Sequence, residues 1–324
     1  MSADPDALIK AMQKMIDESK TDEVSNPFTQ EPKAGNVIRP ATDDMKFKDL
    51  KGIETGTFLD RMFLDGEDKP INGIPFGSNS ILTGLPNSGK SLLLEEIALR
   101  LAAQEDGVEP RHKVCYVLSE EMWRTEGARF DLENRMRNKA RQLNLDWSII
   151  SKNLYVLDTV THAELRDWFN FISTLRNLVE TEKIDILLID SMTLLEDNRG
   201  SLKFRVLELI RYCQTHGLTS ILINQRAVEE SDSLAMAGGI ALSHIVDTVF
   251  ILDYKKISSW DSQLKTDIPT AKQGQVLNFF RILKCRICRS DGHYFGYEIT
   301  KDGLVKLIEA EGLKEGNAIT KGSE

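Results

Sequence analysis

A short segment of the chain has the residue types and spacing of a phosphate-binding loop. Residues 84–91 read GLPNSGKS and fit G-x-x-x-x-G-K-[ST] at every position. Glycine lets the backbone approach an anion closely, and the amides of such a loop attract phosphate together with the following helix N-terminus. We expect Lys90 to reach the β- and γ-phosphates of ATP and the Ser91 hydroxyl to coordinate Mg²⁺. The predicted ATP-binding residues are Gly84, Leu85, Pro86, Asn87, Ser88, Gly89, Lys90 and Ser91.

A carboxylate at the end of an apolar strand can hold the metal that accompanies ATP. Residues 186–189 form a continuous apolar run, which favours a buried strand, and Asp190 follows it. An Asp in this place can bind a water molecule of a Mg²⁺ ion beside the loop serine. Ser91 and Asp190 are therefore the predicted metal-binding residues, and ATP and Mg²⁺ are the predicted cofactors.

The carboxylate that activates water is predicted to follow another strand. No Glu follows Asp190, although many ATPases with this loop carry their activating carboxylate there. The apolar run 114–118 leads instead to Glu120 and Glu121, and parallel sheets bind ligands at the carboxyl ends of their strands. Glu120 is the candidate general base, and Glu121 supports it or faces solvent. The alternative is that both are acidic residues at a helix N-terminus.

An amide is the third candidate at this edge of the sheet. The predicted strand 219–223 ends in Asn224-Gln225-Arg226. Gln225 is placed to sense the γ-phosphate and to pass its presence to the loop 227–237. The alternative is an amide that closes a turn.

The elements that must position these groups indicate an α/β fold. A helical stretch, 92–103, follows the loop, and 205–215 is a second helical segment. Short apolar runs with helices between them predict a mostly parallel central sheet with helices on both faces. The last two runs are separated by a turn with Asp291-Gly292 and are predicted to pair as an antiparallel edge hairpin. The predicted strands are 80–83, 114–119, 154–157, 186–189, 219–223, 248–252, 276–284 and 294–299.

The chain divides into a core domain with two flanking segments. Residues 1–52 are mostly polar and contain several prolines, which predicts a flexible N-terminal extension. Residues 53–310 form the predicted ATPase domain, and 311–324 form a polar C-terminal tail. Within the domain, 255–274 lacks periodicity and is predicted to be a long surface loop.

Composition narrows the class of protein. The chain of 324 residues is 41% apolar, has a net charge of -9 and an isoelectric point of about 5.3, which argues against coating nucleic acid by bulk charge. No apolar run approaches the roughly 20 residues that cross a bilayer, and the N-terminus lacks a signal-peptide layout. We therefore expect a cytoplasmic protein that does not bind membranes.

Two cysteines have the spacing of a zinc ligand pair. Cys285 and Cys288 are three residues apart, but a zinc site needs four ligands and the sequence has no second pair. Residues three apart on a strand also point to opposite faces. The sequence predicts reduced thiols and no metal site here.

Together these segments resemble the RecA superfamily, in the branch of the KaiC-like ATPases and the RadA-like recombinases. The resemblance rests on GLPNSGKS, the Glu-Glu pair, LLIDS, INQ and the later Ala237-Gly238-Gly239, and it runs from about residue 53 to 310. It implies a RecA-like P-loop NTPase fold and ATP hydrolysis. It also implies a homo-oligomer with nucleotide at the subunit interfaces, either a ring, with six subunits as the expected size, or a filament.

The resemblance also implies residues that act on a neighbouring subunit. The segment 283–286 is similar to the K-x-R strand of KaiC-like proteins, whose Lys and Arg reach the neighbour's nucleotide. Lys284 and Arg286 are the corresponding candidates, although Ile287 stands where the family often has Gly. The alternative is that both are solvent-facing residues on an edge strand.

Three functions are consistent with these residues. The first is an oligomeric Mg·ATP-hydrolysing switch or motor of KaiC-like type, for which autokinase activity is possible but not predicted. The second is a RadA-like recombinase paralogue or accessory ATPase in DNA repair, which binds single-stranded DNA or a recombinase partner. Residues 238–244 resemble a RadA-like segment, but the acidic loop before them disfavours phosphate contact. The third is a nucleotide-sensing scaffold with little turnover.

Overall fold

The computed structural model describes residues 50–104, 112–125, 131–192, 202–225 and 240–308. The strands are β1 (Gly52–Ile53), β2 (Phe63–Leu64), β3 (Ile74–Pro75), β4 (Asn79–Gly84), β5 (Val114–Leu118), β6 (Leu154–Asp158), β7 (Ile186–Asp190), β8 (Thr219–Gln225), β9 (Thr248–Lys256), β10 (Val276–Cys285), β11 (Arg289–Ser290), β12 (Phe295–Ile299) and β13 (Val305–Leu307). The helices are α1 (Lys90–Ala102), α2 (Leu132–Gln142), α3 (Trp147–Asn153), α4 (Trp168–Glu182), α5 (Leu202–His216), α6 (Ile240–Ile245) and α7 (Ser262–Asp267). Among the described residues no helix is long and apolar enough to cross a membrane.

A nine-stranded sheet of order β13-β12-β10-β9-β4-β8-β7-β5-β6 forms the centre of the described residues. Strands β9, β4, β8, β7, β5 and β6 are parallel, whereas β10, β12 and β13 pair antiparallel. The predicted α/β fold and the antiparallel pairing of the last two predicted strands, β10 and β12, are confirmed. The short strand β13, which the sequence analysis does not include, pairs with β12 and forms the outer edge.

Helices cover both faces of the sheet, and its central strands are therefore buried on both sides. Leu94 and Ile97 of α1 lie in one buried cluster with Leu82 of β4 and Tyr116 of β5. Successive side chains along a strand point to opposite faces. Ile81 of β4 therefore faces away from α1, and α5 packs beside β4. This layering leaves the carboxyl ends of the parallel strands open to a ligand.

Aromatic contacts connect the residues before β4 to the antiparallel strands. The Phe58 and Phe280 rings meet edge to face with centroids 4.9 Å apart, and Phe63 lies 5.9 Å from Phe250 in a similar arrangement. Two small sheets, β1 with β3 and β2 with β11, complete this region. The residues upstream of the loop are thus packed against β9 and β10.

The segment predicted as a surface loop, 255–274, contains regular structure. Strand β9 continues to Lys256, and α7 follows. Leu264 and Ile268 are 5% and 6% exposed and pack in a cluster with Leu277 and Phe279. Residues four apart lie on one helical face, and this pair was hidden in the sequence by the polar residues around it. The prediction of an irregular loop is therefore wrong for this stretch.

Candidate active site

The loop between β4 and α1 needs glycine at both ends. Gly84 and Gly89 have φ angles of 156° and 91°, which side chains disfavour. A Cβ atom at Gly84 would lie 1.9 Å from the Leu252 carbonyl oxygen, and one at Gly89 would lie 3.0 Å from the Ile299 Cδ1 atom. The motif glycines therefore allow the loop to pack directly against β9 and β12.

Two residues from these strands brace the loop. The Tyr297 hydroxyl of β12 donates a hydrogen bond to the Ser88 carbonyl oxygen. The Leu85 amide donates to the Asp253 carboxylate of β9 at 3.3 Å, and Asp253 is 2% exposed. A buried carboxylate on β9, the parallel neighbour of β4, thus lies beside the phosphate loop.

The Lys90 ammonium is held by the loop itself. Its Nζ donates to the carbonyl oxygens of Gly84 at 3.0 Å and Leu85 at 2.6 Å, and to the Ser88 hydroxyl at 3.3 Å. Burial lowers the pKa of Lys90 to about 8, and nearby carboxylates, Asp253 foremost, oppose this shift. The predicted contact of Lys90 with phosphate oxygens would require it to leave these carbonyl partners.

The predicted metal-binding pair is brought together at the end of β7. Asp190 accepts hydrogen bonds from the Ser91 and Tyr116 side chains, with 3.1 Å between the Tyr116 hydroxyl and Asp190 Oδ2. Burial raises the pKa of Asp190 to about 6, although these hydrogen bonds lower it in part. A hydroxyl and one carboxylate suit Mg²⁺, which takes its other ligands from water and phosphate. The oxygen donors fit the predicted ion, and its binding stays a prediction.

Three strand ends converge on Glu120. The Ser191 hydroxyl, after β7, donates to Glu120 Oε1 at 2.6 Å. The Gln225 side-chain amide, at the end of β8, donates to the two carboxylate oxygens at 3.1 and 3.4 Å. The candidate base and the candidate sensor are therefore in direct contact. Ser191 has no predicted role: it belongs to the LLIDS segment, but the sequence does not show that its hydroxyl meets Glu120.

The neighbouring carboxylate, Glu121, has a different environment. It forms an ion pair with Arg135 of α2 at 2.7 Å, and the same guanidinium contacts Glu95 of α1 at 2.7 Å. Glu95 is buried and also pairs with the buried Lys139 at 2.7 Å. Glu121 is thus held toward α2 by a chain of charges, whereas Glu120 is contacted by Ser191 and Gln225.

The phosphate loop and the carboxyl ends of β5, β7 and β8 line a cleft of about 520 Å³. This volume is within the range of small-molecule sites. A second cavity of about 330 Å³ shares Leu92 and Arg135 with it and extends along α2. The polar groups that line the first cleft include Asn87, Lys90, Ser91, Glu120, Asp190 and Gln225.

The two cations predicted to act on a neighbour lie elsewhere. Lys284 donates to the carbonyl oxygens of Ser243 and Val246, the latter at 2.5 Å, at the end of α6. Burial, and secondly the charge of Arg286, lower the pKa of Lys284. Arg286 is exposed, and its amide donates to the Asp247 carbonyl oxygen at 3.0 Å. Among the described residues that line the cleft, neither cation is present, so their action across an interface stays a prediction.

Several predicted features fall outside the described residues. These are the greater part of the N-terminal extension, the C-terminal tail, and the loop 227–237 with the glycines that follow it. The structure therefore does not test the proposed link between Gln225 and that loop.

Comparison with known proteins identifies a protein family that matches most of this chain. The KaiC ATPase family model matches residues 53–312 of the chain. A DNA repair protein RadA from Chlamydia pneumoniae is 29% identical over 299 residues, a match that covers 89% of this chain and 52% of that protein. The chain thus spans about half the length of this curated relative.

A solved structure shares the fold. It is the crystal structure of a KaiC-like protein from the hyperthermophilic archaeon Pyrococcus horikoshii, with a TM-score of 0.57 and 17% sequence identity. The match covers 80% of this chain and 100% of that protein. At this identity the likeness concerns the arrangement of the strands and helices.

Proposed function

The chain belongs to the KaiC ATPase family, and from this premise we propose that it binds Mg·ATP in the cleft, hydrolyses it slowly and acts as an oligomeric switch or motor. One observation carries the proposal: the Glu120 carboxylate is held by Ser191 and Gln225 in the cleft that also contains Lys90 and Asp190. A phosphate-binding loop without a catalytic carboxylate would be enough for a scaffold that binds ATP but does not hydrolyse it. A positioned carboxylate beside it favours turnover.

The chain's own residues supply binding and proton transfer. Loop amides and the N-terminus of α1 receive the phosphates, while Lys90 leaves its carbonyl partners for the β- and γ-oxygens. Ser91 and Asp190 would hold Mg²⁺, which neutralises phosphate charge when bound. Glu120 orients the attacking water and accepts its proton. Gln225 contacts this base and lines the same cleft, so it is suited to report the nucleotide state.

Two substitutions separate binding from turnover. Lys90→Ala should abolish ATP binding in a calorimetric titration, because the phosphates lose a charge-assisted partner. Glu120→Gln should keep ATP affinity but lower steady-state phosphate release by about 10²-fold or more. Glu121→Gln is the matched control, and it should retain turnover because Arg135 holds that carboxylate away from Glu120. Near-normal turnover of Glu120→Gln would overturn the assignment of the base.

A second candidate function follows from the RadA relative. In this alternative the ATP-bound assembly binds single-stranded DNA as an accessory ATPase in repair. The mass of the ATP-bound form, measured by light scattering with and without an oligonucleotide, distinguishes the two. An increase in mass and in ATP turnover on addition of DNA would favour the repair function. An assembly whose mass and turnover do not change with DNA would favour the switch or motor.

A further inference from the structure

Cys285 and Cys288 lie together, contrary to the expectation that they face opposite sides of a strand. β10 ends at Cys285, and the chain turns at once through Arg286 and Ile287. The two Sγ atoms are 3.6 Å apart and share a hydrogen bond. The alternation rule holds only while a strand continues, so the turn overrides it. The result is a pair of adjacent, half-buried thiols beside two exposed residues.

The sulfur of Cys285 is surrounded by hydrogen-bond donors. The Thr248 hydroxyl lies 3.8 Å from Cys285 Sγ. The backbone amides of Cys288 and Ile287 also donate to this sulfur, and Cys288 Sγ shares a hydrogen bond with it. These hydrogen bonds, the one with Cys288 first, lower the pKa of Cys285, whereas the same hydrogen bond and burial raise the pKa of Cys288. The Thr248 hydroxyl and the two backbone amides would stabilise a thiolate at Cys285, and the thiolate is the reactive form of cysteine.

The other two cysteines have the opposite character. Cys115 in β5 and Cys213 in α5 are fully buried, and burial raises the pKa of each to about 12. They are internal references, because the same protein molecule carries inert and reactive thiols.

We propose that Cys285 and Cys288 form a thiol–disulfide exchange site whose co-substrate is a small-molecule disulfide of the glutathione type. The Cys285 thiolate attacks one sulfur of the external disulfide, so that a mixed disulfide forms and one small thiolate leaves with a proton from solvent. Cys288 then loses its proton, attacks Cys285 Sγ and releases the second small thiol. Two protein thiols are oxidised to one disulfide, and the external disulfide is reduced to two thiols by the same two electrons.

The geometry allows this second step with a small movement. A disulfide needs its sulfurs about 2.05 Å apart, so the two Sγ atoms must approach by roughly 1.5 Å from their 3.6 Å separation. The intervening residues, Arg286 and Ile287, are exposed and follow the end of β10. The turn can therefore adjust while the sheet remains in place.

Oxidation would constrain Arg286, because this residue lies inside the ring that the disulfide closes. This consequence rests on the proposed oligomeric ATPase function and on the prediction that Arg286 acts on the nucleotide of a neighbouring subunit. A disulfide would restrict the backbone of this turn, so Arg286 could no longer adjust its position toward that nucleotide. Loss of an arginine of this kind costs about 10³-fold or more in rate, so we expect turnover of the oxidised protein to fall by about tenfold or more.

The first experiment measures the thiols and needs no activity. The full-length reduced protein is incubated with excess oxidised glutathione, quenched with N-ethylmaleimide and analysed by peptide mass spectrometry. The peptide with Cys285 and Cys288 should lose two hydrogens, while Cys115 and Cys213 stay reduced. Cys288→Ser should stop at a glutathione adduct on Cys285, and Cys285→Ser should stay unmodified. Two alkylated thiols in the wild type, or a lasting wild-type adduct, would overturn the proposal.

The second experiment compares ATP turnover of the oxidised and re-reduced protein. The wild type should lose activity on oxidation and regain it with dithiothreitol, and the Cys285→Ser, Cys288→Ser double variant should be insensitive to both treatments. Equal loss in the double variant would refute a role for this pair in turnover. If the reduced wild type hydrolyses no ATP, the proposed function fails, while the thiol measurement still decides the exchange site.

Discussion

The contact between Ser191 and Glu120 can be tested by removing each partner separately and together. A hydrogen bond to a charged group contributes about 1.5–3 kcal/mol. Ser191 is buried but Glu120 is exposed, so solvent can partly replace the lost donor and the lower value applies. Since about 1.4 kcal/mol corresponds to a factor of ten in rate, Ser191→Ala should slow ATP turnover by roughly tenfold. Glu120→Gln alone should slow it by about 10²–10⁴-fold.

The combination is more informative than either change. If Ser191 acts by orienting the Glu120 carboxylate, Ser191→Ala should cost little once Glu120 is already Gln. Phosphate release under single-turnover conditions should be measured for the wild type, both single variants and the double variant, with ATP affinity checked by calorimetry. Ser119→Ala is a matched control, because its hydroxyl contacts the Ser191 backbone, with 2.7 Å to the Ser191 amide. It should have a smaller effect than Ser191→Ala.

Two results would refute this reasoning. A further tenfold loss when Ser191→Ala is added to Glu120→Gln would show that the hydroxyl acts independently of the carboxylate. Wild-type turnover in Ser191→Ala would show that the 2.6 Å contact does not matter for the base.

Three further predictions follow from other contacts. Binding requires the charged form of Lys90, and burial lowers the pKa of that group to about 8. Calorimetry should therefore show nearly full ATP affinity at about pH 7, about half of it at pH 8, and a loss of about tenfold from pH 7 to pH 9. The Lys284→Ala, Arg286→Ala double variant should bind ATP but hydrolyse it about 10³-fold more slowly. Mixing this variant with Glu120→Gln should restore part of the ATPase activity, because each variant keeps the residues that the other lacks. If mixed oligomers form but no activity returns, the two cations do not act between subunits. Phe280→Ala should lower the free energy of unfolding in urea by about 3–5 kcal/mol because Phe280 is fully buried, whereas Phe204→Ala, at a side chain 68% exposed, should change it little.

The sequence predicts the central strands well because buried parallel strands have continuous apolar runs. The predicted strands 114–119 and 186–189 correspond to Val114–Leu118 and Ile186–Asp190. The positions of Glu120 and Asp190 follow from these strands, since the carboxyl ends of parallel strands share one edge. The phosphate loop is equally readable, because its glycines and lysine are required locally.

Contacts between distant residues could not be predicted in this way. Ser191 meets Glu120 across 71 residues, and a single hydroxyl has no periodicity or spacing. The β13 strand has only three residues, which is too short for alternation to be visible. The pairing of Cys285 with Cys288 depends on where β10 ends, and strand boundaries are the least certain part of a sequence pattern.

The hydrogen bond from Tyr297 to Ser88 determines when the phosphate loop gains its support during synthesis and folding. Its two residues are 209 positions apart. During synthesis, the phosphate loop and Lys90 leave the ribosome long before β12 does. A nascent chain thus carries the whole GLPNSGKS segment without the strand that braces it, and long-range pairings of this kind form late. The braced form of the phosphate loop therefore exists only after β12 has been synthesised and has packed against the loop.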